Sequence, residues 1–330
     1  MTDLNGLNTF FFTDLLLSEG NANYKTGGNG VFNPVPAHAE ASAAHLYKLC
    51  CDNSAPDSRI EYGGVKYRCS RKQTVGGLVF ALRRPMAELP EISKLGYQRS
   101  LVQRLTSNEP SPSGIQNGLV IFAGVTCSGK THSACALIRE RLTKHGGLAV
   151  TIEDPPELPL QGVYGENDHG RCYQCDFIEE MGGVAAVGAS ILRFGAPNIV
   201  MYGEIRDGQS AAEAIRAGLS GHFVILTIHA SGIKEALERL LGYATEIIGT
   251  EAAALQLATA LTCVIHQRLV VGPETGKEND KEKLQLYADF LFTNDGVKAK
   301  IRAGQLHMLD AEVEQQRNLM LHQPREKVKA

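Results

Sequence analysis

The stretch GVTCSGKT, residues 124–131, fits the pattern G-x-x-x-x-G-K-[ST] between an apolar run and a helix predicted from Lys130. Its glycines let backbone N–H groups converge on phosphate oxygens, and the helix N-terminus adds a favourable dipole. The Lys130 amine is expected to reach β- and γ-phosphates, and the Thr131 hydroxyl to bind Mg²⁺. The stretch therefore predicts a nucleotide site that uses ATP and Mg²⁺. Its predicted binding residues are Gly124, Thr126, Ser128, Gly129, Lys130, Thr131 and His132.

A carboxylate follows another apolar run, NIVMYG, where Glu204 comes directly after Gly203. We expect this run to form a parallel strand beside the strand that precedes the phosphate-binding loop. A carboxylate at the C-terminal end of such a strand reaches Mg²⁺ or a water bound to it. The alternative is a solvated glutamate at a strand end.

Two further groups of polar residues also follow or flank apolar runs. Glu153, Asp154 and Glu157 belong to EDPPE, and their carboxylates either orient an attacking water or form an Asp- and Pro-rich turn. His222 and His229 bracket the run FVILTI. A histidine near a γ-phosphate senses it or stabilises charge, whereas a lone histidine is more often an ordinary core or surface residue.

Arginines and cysteines give weaker signals. Nucleotide sites shared between domains or subunits need arginines aimed at the phosphates, and spacing alone selects none from the candidates. These are Arg68, Arg71, Arg83, Arg84, Arg193 and Arg206. Cys172 and Cys175, with His169 upstream, resemble half of a zinc site, but the sequence has no second pair to complete four ligands.

The elements that must position these residues fall into two parts. From residue 118 onward, predicted strands alternate with predicted helices, which indicates an α/β fold with a mostly parallel sheet and helices on both faces. Residues 1–105 carry short strand patterns around one helix and predict a small α+β domain. The predicted bounds are 1–105 for that domain, 106–117 for a polar linker, 118–270 for the ATPase core, and 271–330 for a C-terminal hairpin and helix.

The sequence also predicts two β-hairpins. The first lies in NYKTGGNGVF, with Asn29 and Gly30 in or beside its turn, and the second surrounds the charged loop ETGKENDKEK.

Composition narrows the class of protein. The 330 residues are 43% hydrophobic and 21% charged, with a formal net charge of −3, which is ordinary for a soluble globular chain. A protein that tracks along nucleic acid usually carries a basic excess, so no nucleic-acid partner is expected. No apolar run approaches the roughly 18 residues that span a bilayer, and the acidic start has no basic signal-peptide region. These features predict a cytoplasmic protein without direct membrane insertion, whose eight cysteines are reduced thiols.

Together, these residues resemble the type II/type IV secretion ATPase superfamily, which includes pilus motors. The family's four boxes occur in order: GVTCSGKT (Walker A), TIEDPPE (aspartate box), NIVMYGEIRD (Walker B) and GHFVILTIHA (histidine box). Glycine–glutamate in Walker B is typical of the family. The resemblance runs over residues 118–268, and FTDLLLSEG, KYR and ALRRP extend it more weakly toward the N-terminus.

The resemblance implies a RecA-like P-loop NTPase domain and a PAS-like N-terminal domain that moves against it. It implies a homohexamer that holds nucleotide between subunits and acts on an inner-membrane platform protein, so that the chain is peripheral to that membrane through its partner. Glu157 resembles the catalytic carboxylate, supported by Glu153 and Asp154, and His222 and His229 match the two box histidines. Arg68 and Arg83 resemble N-domain arginines that reach the nucleotide, and Arg193 matches an arginine ahead of Walker B.

The branch of the family is a narrower question. The chain has neither the extra N-terminal domain nor the four-cysteine motif of assembly motors, so it is most like the compact retraction-type pilus motor. The segment GVYGENDHGRCYQCD, the residues FGAPN before Walker B and the C-terminal IRAGQLHMLD depart from the pilus-motor pattern. The alternatives are a conjugative or type IV secretion ATPase, a RecA-like nucleic-acid motor, and a nucleotide-binding scaffold without useful turnover.

Overall fold

The computed structural model describes residues 6–26, 31–85, 88–154, 156–176, 183–271 and 284–321. Contacts between Cα atoms divide the chain into two compact units. The first unit comprises Met1–Glu88 together with Glu157–Pro159, and the second comprises Leu89–Pro156 and Leu160–Ala330. The sequence predicts a first domain that ends at residue 105, whereas these contacts group the chain from Leu89 onward with the second unit.

The first unit is a six-stranded antiparallel sheet, in the order β3-β2-β1-β6-β5-β4, with one α-helix described. Alternate side chains of β1, such as Leu15 and Leu17, are buried beneath the helix residue Leu46, which gives this unit a core of its own. The elements are β1 Asp14–Ser18, β2 Asn21–Lys25, β3 Asn33–Pro34, α1 Glu40–Cys51, β4 Asp57–Tyr62, β5 Val65–Thr74 and β6 Gly77–Arg83. The predicted pairing of the first hairpin is confirmed by Tyr24 opposite Asn33, while Asn29 and Gly30 lie outside the described residues.

The second unit contains an eight-stranded sheet in the order β14-β13-β7-β12-β11-β8-β10-β9. The six central strands run parallel, and β9 and β14 pair antiparallel at the two edges. Strands β7 and β11 are buried at every residue because helices cover both faces of a parallel sheet. The strands are β7 Gly118–Gly124, β8 Gly147–Glu153, β9 Gly162–Tyr164, β10 Gly170–Asp176, β11 Ile199–Tyr202, β12 Phe223–His229, β13 Leu261–Val271 and β14 Leu284–Phe292.

Helices surround this sheet, and the predicted α/β class with a mostly parallel sheet is confirmed. Side chains from α5, α6, α7 and α8 share one core with alternate residues of β7, β11 and β12, and α3 packs against the remaining face. The helices are α2 Arg99–Thr106, α3 Lys130–His145, α4 Gly183–Ile191, α5 Gly208–Leu219, α6 Ile233–Ile248, α7 Thr250–Ala260, α8 Asp295–Arg302 and α9 Leu309–Leu321. None of the helices in the described ranges is long and apolar enough to cross a bilayer.

One expectation about the sheet is wrong. We expected NIVMYG to lie beside the strand that leads into the phosphate-binding loop, but β12 lies between β7 and β11. The apolar run of β12 pairs with both neighbours, so the histidine box, rather than Walker B, is adjacent to Walker A. The carboxyl ends of β7, β12, β11 and β8 still meet at one edge of the sheet, because all four strands are parallel.

The segment predicted as a polar linker is held firmly within the second unit. The guanidinium of Arg141, on α3, donates to the backbone oxygens of Leu105, Ser107 and Ile115 at 2.8–3.1 Å. It also lies 3.9 Å from the centroid of the Phe223 ring. A buried arginine therefore satisfies carbonyls in and beside the segment whose composition predicts a linker.

Candidate functional site

The loop between β7 and α3 has a backbone that only glycine allows at two positions. Gly124 has φ 158°, and a Cβ there would lie 2.4 Å from Oγ of Ser128 and 2.5 Å from the backbone oxygen of Gln267. Gly129 adopts the left-handed conformation, with φ 85°, directly before α3. These glycines permit the tight turn that leaves the first N–H groups of α3 open to an anion.

Lys130 closes this loop. Its side chain is nearly buried, at 8% exposure, and Nζ donates to the backbone oxygens of Gly124 and Val125, each at 2.9 Å. The charge is thus held inside the turn of the backbone. Thr131 and His132 follow in the first turn of α3 and are partly exposed.

Glu204 is positioned by the backbone on both sides of it. The N–H of Gly203 donates to the oxygen of Ile152 at 2.8 Å, and the N–H of Ile205 donates to the oxygen of Thr227 at 3.0 Å. The hydroxyl of Thr227 donates to the oxygen of Gly203 at 2.5 Å. A Cβ on residue 203 would lie 3.0 Å from the Ile152 oxygen, so the glycine lets the chain pass between β8 and β12 and fixes the direction of Glu204.

His229 meets Glu204 at this edge. Its Nε2 lies 2.9 Å from Oε1 of Glu204. Burial and the positive charge of Lys130 lower the pKa of His229 below its ordinary value, against the opposing effect of Glu204. The lowered pKa favours the neutral ring, so the contact places an imidazole nitrogen against a carboxylate oxygen. The influence of Lys130 on this pKa also ties the histidine electrostatically to the phosphate-binding loop.

The aspartate-box carboxylates differ in environment. Glu153 is buried at 3% exposure, and its Oε1 accepts from the Thr151 hydroxyl at 2.6 Å and from Nε2 of Gln174 at 2.8 Å. Asp154 is more exposed, with Oδ2 4.0 Å from Nη1 of Arg206. Arg206 also forms an ion pair with Oε2 of Glu204. One arginine thus bridges the carboxylates that follow β8 and β11.

The predicted histidine pair is not brought together. His222 precedes β12 and His229 ends it, so they lie at opposite edges of the sheet, about 20 Å apart at the rise of a seven-residue strand. Nδ1 of His222 lies 2.6 Å from the backbone oxygen of Pro197. The two histidines therefore lie at opposite ends of β12 in the same chain, and a role for His222 in the site stays a prediction.

The remaining predicted residues belong to other parts of the chain. Arg193 is exposed after the end of α4. Glu157 groups with the first unit, where Arg68 and Arg83 are opposite each other on β5 and β6. Within that unit, Nε of Arg83 donates to Oδ1 of Asp14 at 2.9 Å, and Nη1 lies 3.8 Å from Oε1 of Glu157.

The cysteine pair does not form a metal site in the described part of the chain. Cys172 and Cys175 both belong to strand β10, and residues three apart in a strand point to opposite faces. Cys172 is buried at 1% exposure, and burial raises the pKa of its thiol. No group of three or more His, Cys, Asp or Glu residues among those described is arranged to hold a metal ion.

Sequence reasoning missed Gln267, which contacts the phosphate-binding loop, and Tyr97, which contacts Gln267. Gln267 is completely buried in β13, and its Nε2 donates to the backbone oxygen of Ser128 at 2.7 Å. The hydroxyl of Tyr97 donates to Oε1 of Gln267 at 2.6 Å. A glutamine within the apolar strand TCVIHQRLVV is the one sequence signal that could have pointed to this contact.

Comparison with known proteins agrees with this geometry. A family model described as Type II/IV secretion system protein matches residues 59–327. The type IV pilus assembly ATPase PilB of Thermus thermophilus is 30% identical over 220 residues, which cover 65% of this chain and 22% of PilB. The type II secretion system protein E of Klebsiella pneumoniae is 34% identical over 180 residues, which cover 54% of this chain and 32% of that protein.

A solved structure gives the same result for the fold. The crystal structure of the pilus retraction motor PilT with bound ADP has a TM-score of 0.74 and 21% sequence identity, covering 96% of this chain and 90% of that chain. This likeness agrees with the predicted α/β class and its P-loop NTPase core. The chain belongs to the Type II/IV secretion system protein family. It spans less than two thirds of the length of PilB and of protein E.

Proposed function

We propose that this protein is an ATPase that works as a motor subunit for a type IV pilus or a related secretion machine. The observation that carries the proposal is the pairing of Glu204 with His229 at the sheet edge where Lys130 closes a glycine-dependent phosphate-binding loop. Family membership supports it, and so do relatives named as pilus and secretion ATPases.

The residues present fit ATP and Mg²⁺. The Oγ of Ser128 is buried without a hydrogen-bond partner among the described residues, and the loop has no room for a Cβ at Gly124. Such a backbone cradle with an unused polar atom is suited to phosphate oxygens. Thr131 and Glu204 supply the hard oxygen ligands that Mg²⁺ prefers, the latter through water. The bound ion would neutralise charge that develops on the phosphates.

Each residue of the site then has a separate task. Lys130 and the N–H groups at the start of α3 hold the phosphates. Glu204 accepts a hydrogen bond from water, and His229, whose Nε2 lies 2.9 Å from Oε1, limits the orientation of that carboxylate. Glu153 and Asp154 add negative charge beside Glu204. Arg206 contacts the carboxylates of both Asp154 and Glu204 and limits the orientation of each.

Remaining assignments belong to the assembled motor. We propose a homohexamer in which Glu157, Arg68, Arg83 and Arg193 contribute to hydrolysis at a subunit boundary, as the family resemblance implies. The N-terminal PAS-like domain moves against the RecA-like core, with the division of the chain near residues 1–105, 106–117, 118–270 and 271–330. The ring acts in the cytoplasm on an inner-membrane platform protein.

The proposal is tested in cells that carry Lys130→Ala in place of the native protein. Loss of surface pili identifies an assembly motor, and an excess of pili identifies a retraction motor. Unchanged pili with lost protein or DNA secretion identify a secretion ATPase. Variant cells with wild-type numbers of pili and wild-type secretion of protein and DNA would contradict the motor role. A purified protein that is strictly monomeric in every nucleotide condition would contradict the ring.

A further inference from the structure

Gln267 lies against the phosphate-binding loop through its side chain and its backbone. Its Nε2 donates to the Ser128 oxygen at 2.7 Å. Its backbone oxygen is so close to Gly124 that a Cβ added to this glycine would lie 2.5 Å from it. The side chain is completely buried within strand β13. A buried amide costs stability unless its polar atoms are satisfied, so a glutamine at this position needs a reason beyond filling space.

Hydrogen-bond chemistry fixes every donor in this network. The Ser128 oxygen only accepts, so the Gln267 atom facing it is the NH₂ group, and Oε1 faces Tyr97. Because Oε1 only accepts, the Tyr97 hydroxyl donates to it. The same hydroxyl lies 2.7 Å from Oγ of Ser133, which must then donate to Tyr97. The chain of donors runs from α3 through Tyr97 to β13 and ends on the loop.

The last bond controls a peptide plane at the site. In a trans peptide, the C=O of one residue and the N–H of the next point in opposite directions. Gln267 holds the C=O of Ser128 toward β13, so the N–H of Gly129 points the other way. Gly129 has φ 85°, a conformation in which a glycine peptide turns over easily once that restraint is lost.

We infer that Tyr97 and Gln267 are positioning residues that keep the Ser128–Gly129 peptide in its phosphate-binding orientation before nucleotide arrives. This inference rests on the proposed function. It adds two residues outside the four sequence boxes that hold the phosphate-binding loop in place. Tyr97 fixes the amide of Gln267, and Gln267 fixes the loop. Neither side chain touches the nucleotide.

The expected change in nucleotide affinity follows from the fraction of molecules whose loop is in the phosphate-binding orientation. If the loop without Tyr97's hydrogen bond is competent for only about a tenth of the time, the apparent Kd for nucleotide rises about tenfold. Turnover at saturating ATP changes little, because bound phosphates hold the loop in place. A purely structural role for the hydroxyl would lower thermal stability and leave the Kd of the folded protein unchanged.

The experiment measures the Kd for MgADP, KM for ATP, kcat and Tm of the purified full chain and its variants. Tyr97→Phe keeps the ring and removes the hydroxyl, and it is expected to raise Kd and KM by about three- to tenfold with kcat within about twofold. Gln267→Met retains the volume but can neither donate to Ser128 nor accept from Tyr97, so it is expected to weaken binding at least as much. If Tyr97→Phe does not fold, Gln267→Met gives the same readout.

Tyr202→Phe is the matched control. Tyr202 is completely buried in the same sheet as Gln267, and its hydroxyl has no hydrogen-bond partner among the described residues. The Tyr202→Phe variant should bind nucleotide like wild type. Wild-type Kd and KM in folded Tyr97→Phe and Gln267→Met would overturn the inference while leaving the proposed ATPase intact. If the wild-type chain itself neither binds nor hydrolyses ATP, the proposed function fails instead.

Discussion

Nε2 of His229 lies 2.9 Å from Oε1 of Glu204, so the last residue of β12 contacts the carboxylate that follows the neighbouring strand β11. The pair joins two family boxes at the carboxyl edge of the parallel sheet. It also makes the protonation state of one group depend on the charge of the other. Two of the predictions concern this pair.

Glu204→Gln should abolish turnover while keeping nucleotide binding. The amide keeps the shape of the side chain and removes the charge that orients water and attracts Mg²⁺, so kcat is expected to fall by about 100-fold or more. Steady-state ATPase assays and calorimetry with MgADP separate the two effects. Glu238→Gln, on the exposed side of α6, is the control and should match wild type. A Glu204→Gln variant with wild-type kcat would remove Glu204 from the site.

Binding of ATP should take up protons through His229. In the free protein its pKa is lowered, and phosphate charge beside Lys130 favours the protonated ring, which raises that pKa on binding. More protons are then bound in the complex, so affinity increases as pH falls through the pKa that the ring has in the complex. Calorimetry in two buffers of different ionisation enthalpy measures this uptake.

Comparing variants separates the protons taken up by the His229 ring from those exchanged by ATP itself. His229→Gln should take up fewer protons than wild type, and His307→Gln, which changes an exposed histidine, should not differ from wild type. Equal uptake in wild type and His229→Gln would show that the histidine does not sense the phosphates.

Arg83→Ala should reduce hydrolysis and spare nucleotide binding. The side chain is half exposed, and its pair with Asp14 is an exposed ion pair that contributes little to folding, about 1 kcal/mol at most. If Arg83 stabilises charge on the phosphates, kcat falls about tenfold or more with Kd unchanged. Asp14→Asn removes the partner and keeps the arginine, so it should retain most activity. Unchanged kcat in Arg83→Ala would exclude Arg83 from the site.

Arg141→Ala should destabilise the second unit strongly. The guanidinium is buried at 4% exposure, and burial lowers its pKa to about 10, so it is still charged near pH 7. Its removal leaves the oxygens of Leu105 and Ile115 without this donor, while the Ser107 oxygen still accepts from the N–H of Ile115, and we expect a loss of about 3 kcal/mol in the free energy of unfolding. Urea denaturation measures the loss. Arg302→Ala, on the exposed surface of α8, should cost little, and an equal effect of both variants would contradict the assignment.

The central strands and three site residues could be predicted from the sequence for physical reasons. Strands buried on both faces need continuous apolar runs, so β7, β11 and β12 are visible as such. Lys130, Glu204 and His229 each adjoin the carboxyl end of such a run. Parallel pairing then brings these ends to one edge, and their meeting follows from the class of the fold.

The remaining features depend on contacts that local patterns do not encode. Tyr97 and Gln267 are 170 residues apart in the chain, and the linker-like segment before residue 118 owes its order to Arg141, which follows it. Helix α7 has apolar residues on most sides and lacks the periodicity that marks α6. The separation of His222 from His229 could be read from the sequence, because a strand of seven residues separates its two ends by about 20 Å.

Hydrolysis of ATP by the purified full chain tests the central claim most directly, with wild type and Lys130→Ala compared at saturating MgATP. Lys130 is the positive charge within the phosphate-binding loop, so its removal should reduce phosphate release to the background rate, while wild type turns over steadily. Steady wild-type hydrolysis that disappears in Lys130→Ala is the predicted result. A wild-type chain without turnover, even in its assembled ring, or equal turnover in both proteins, would contradict the account.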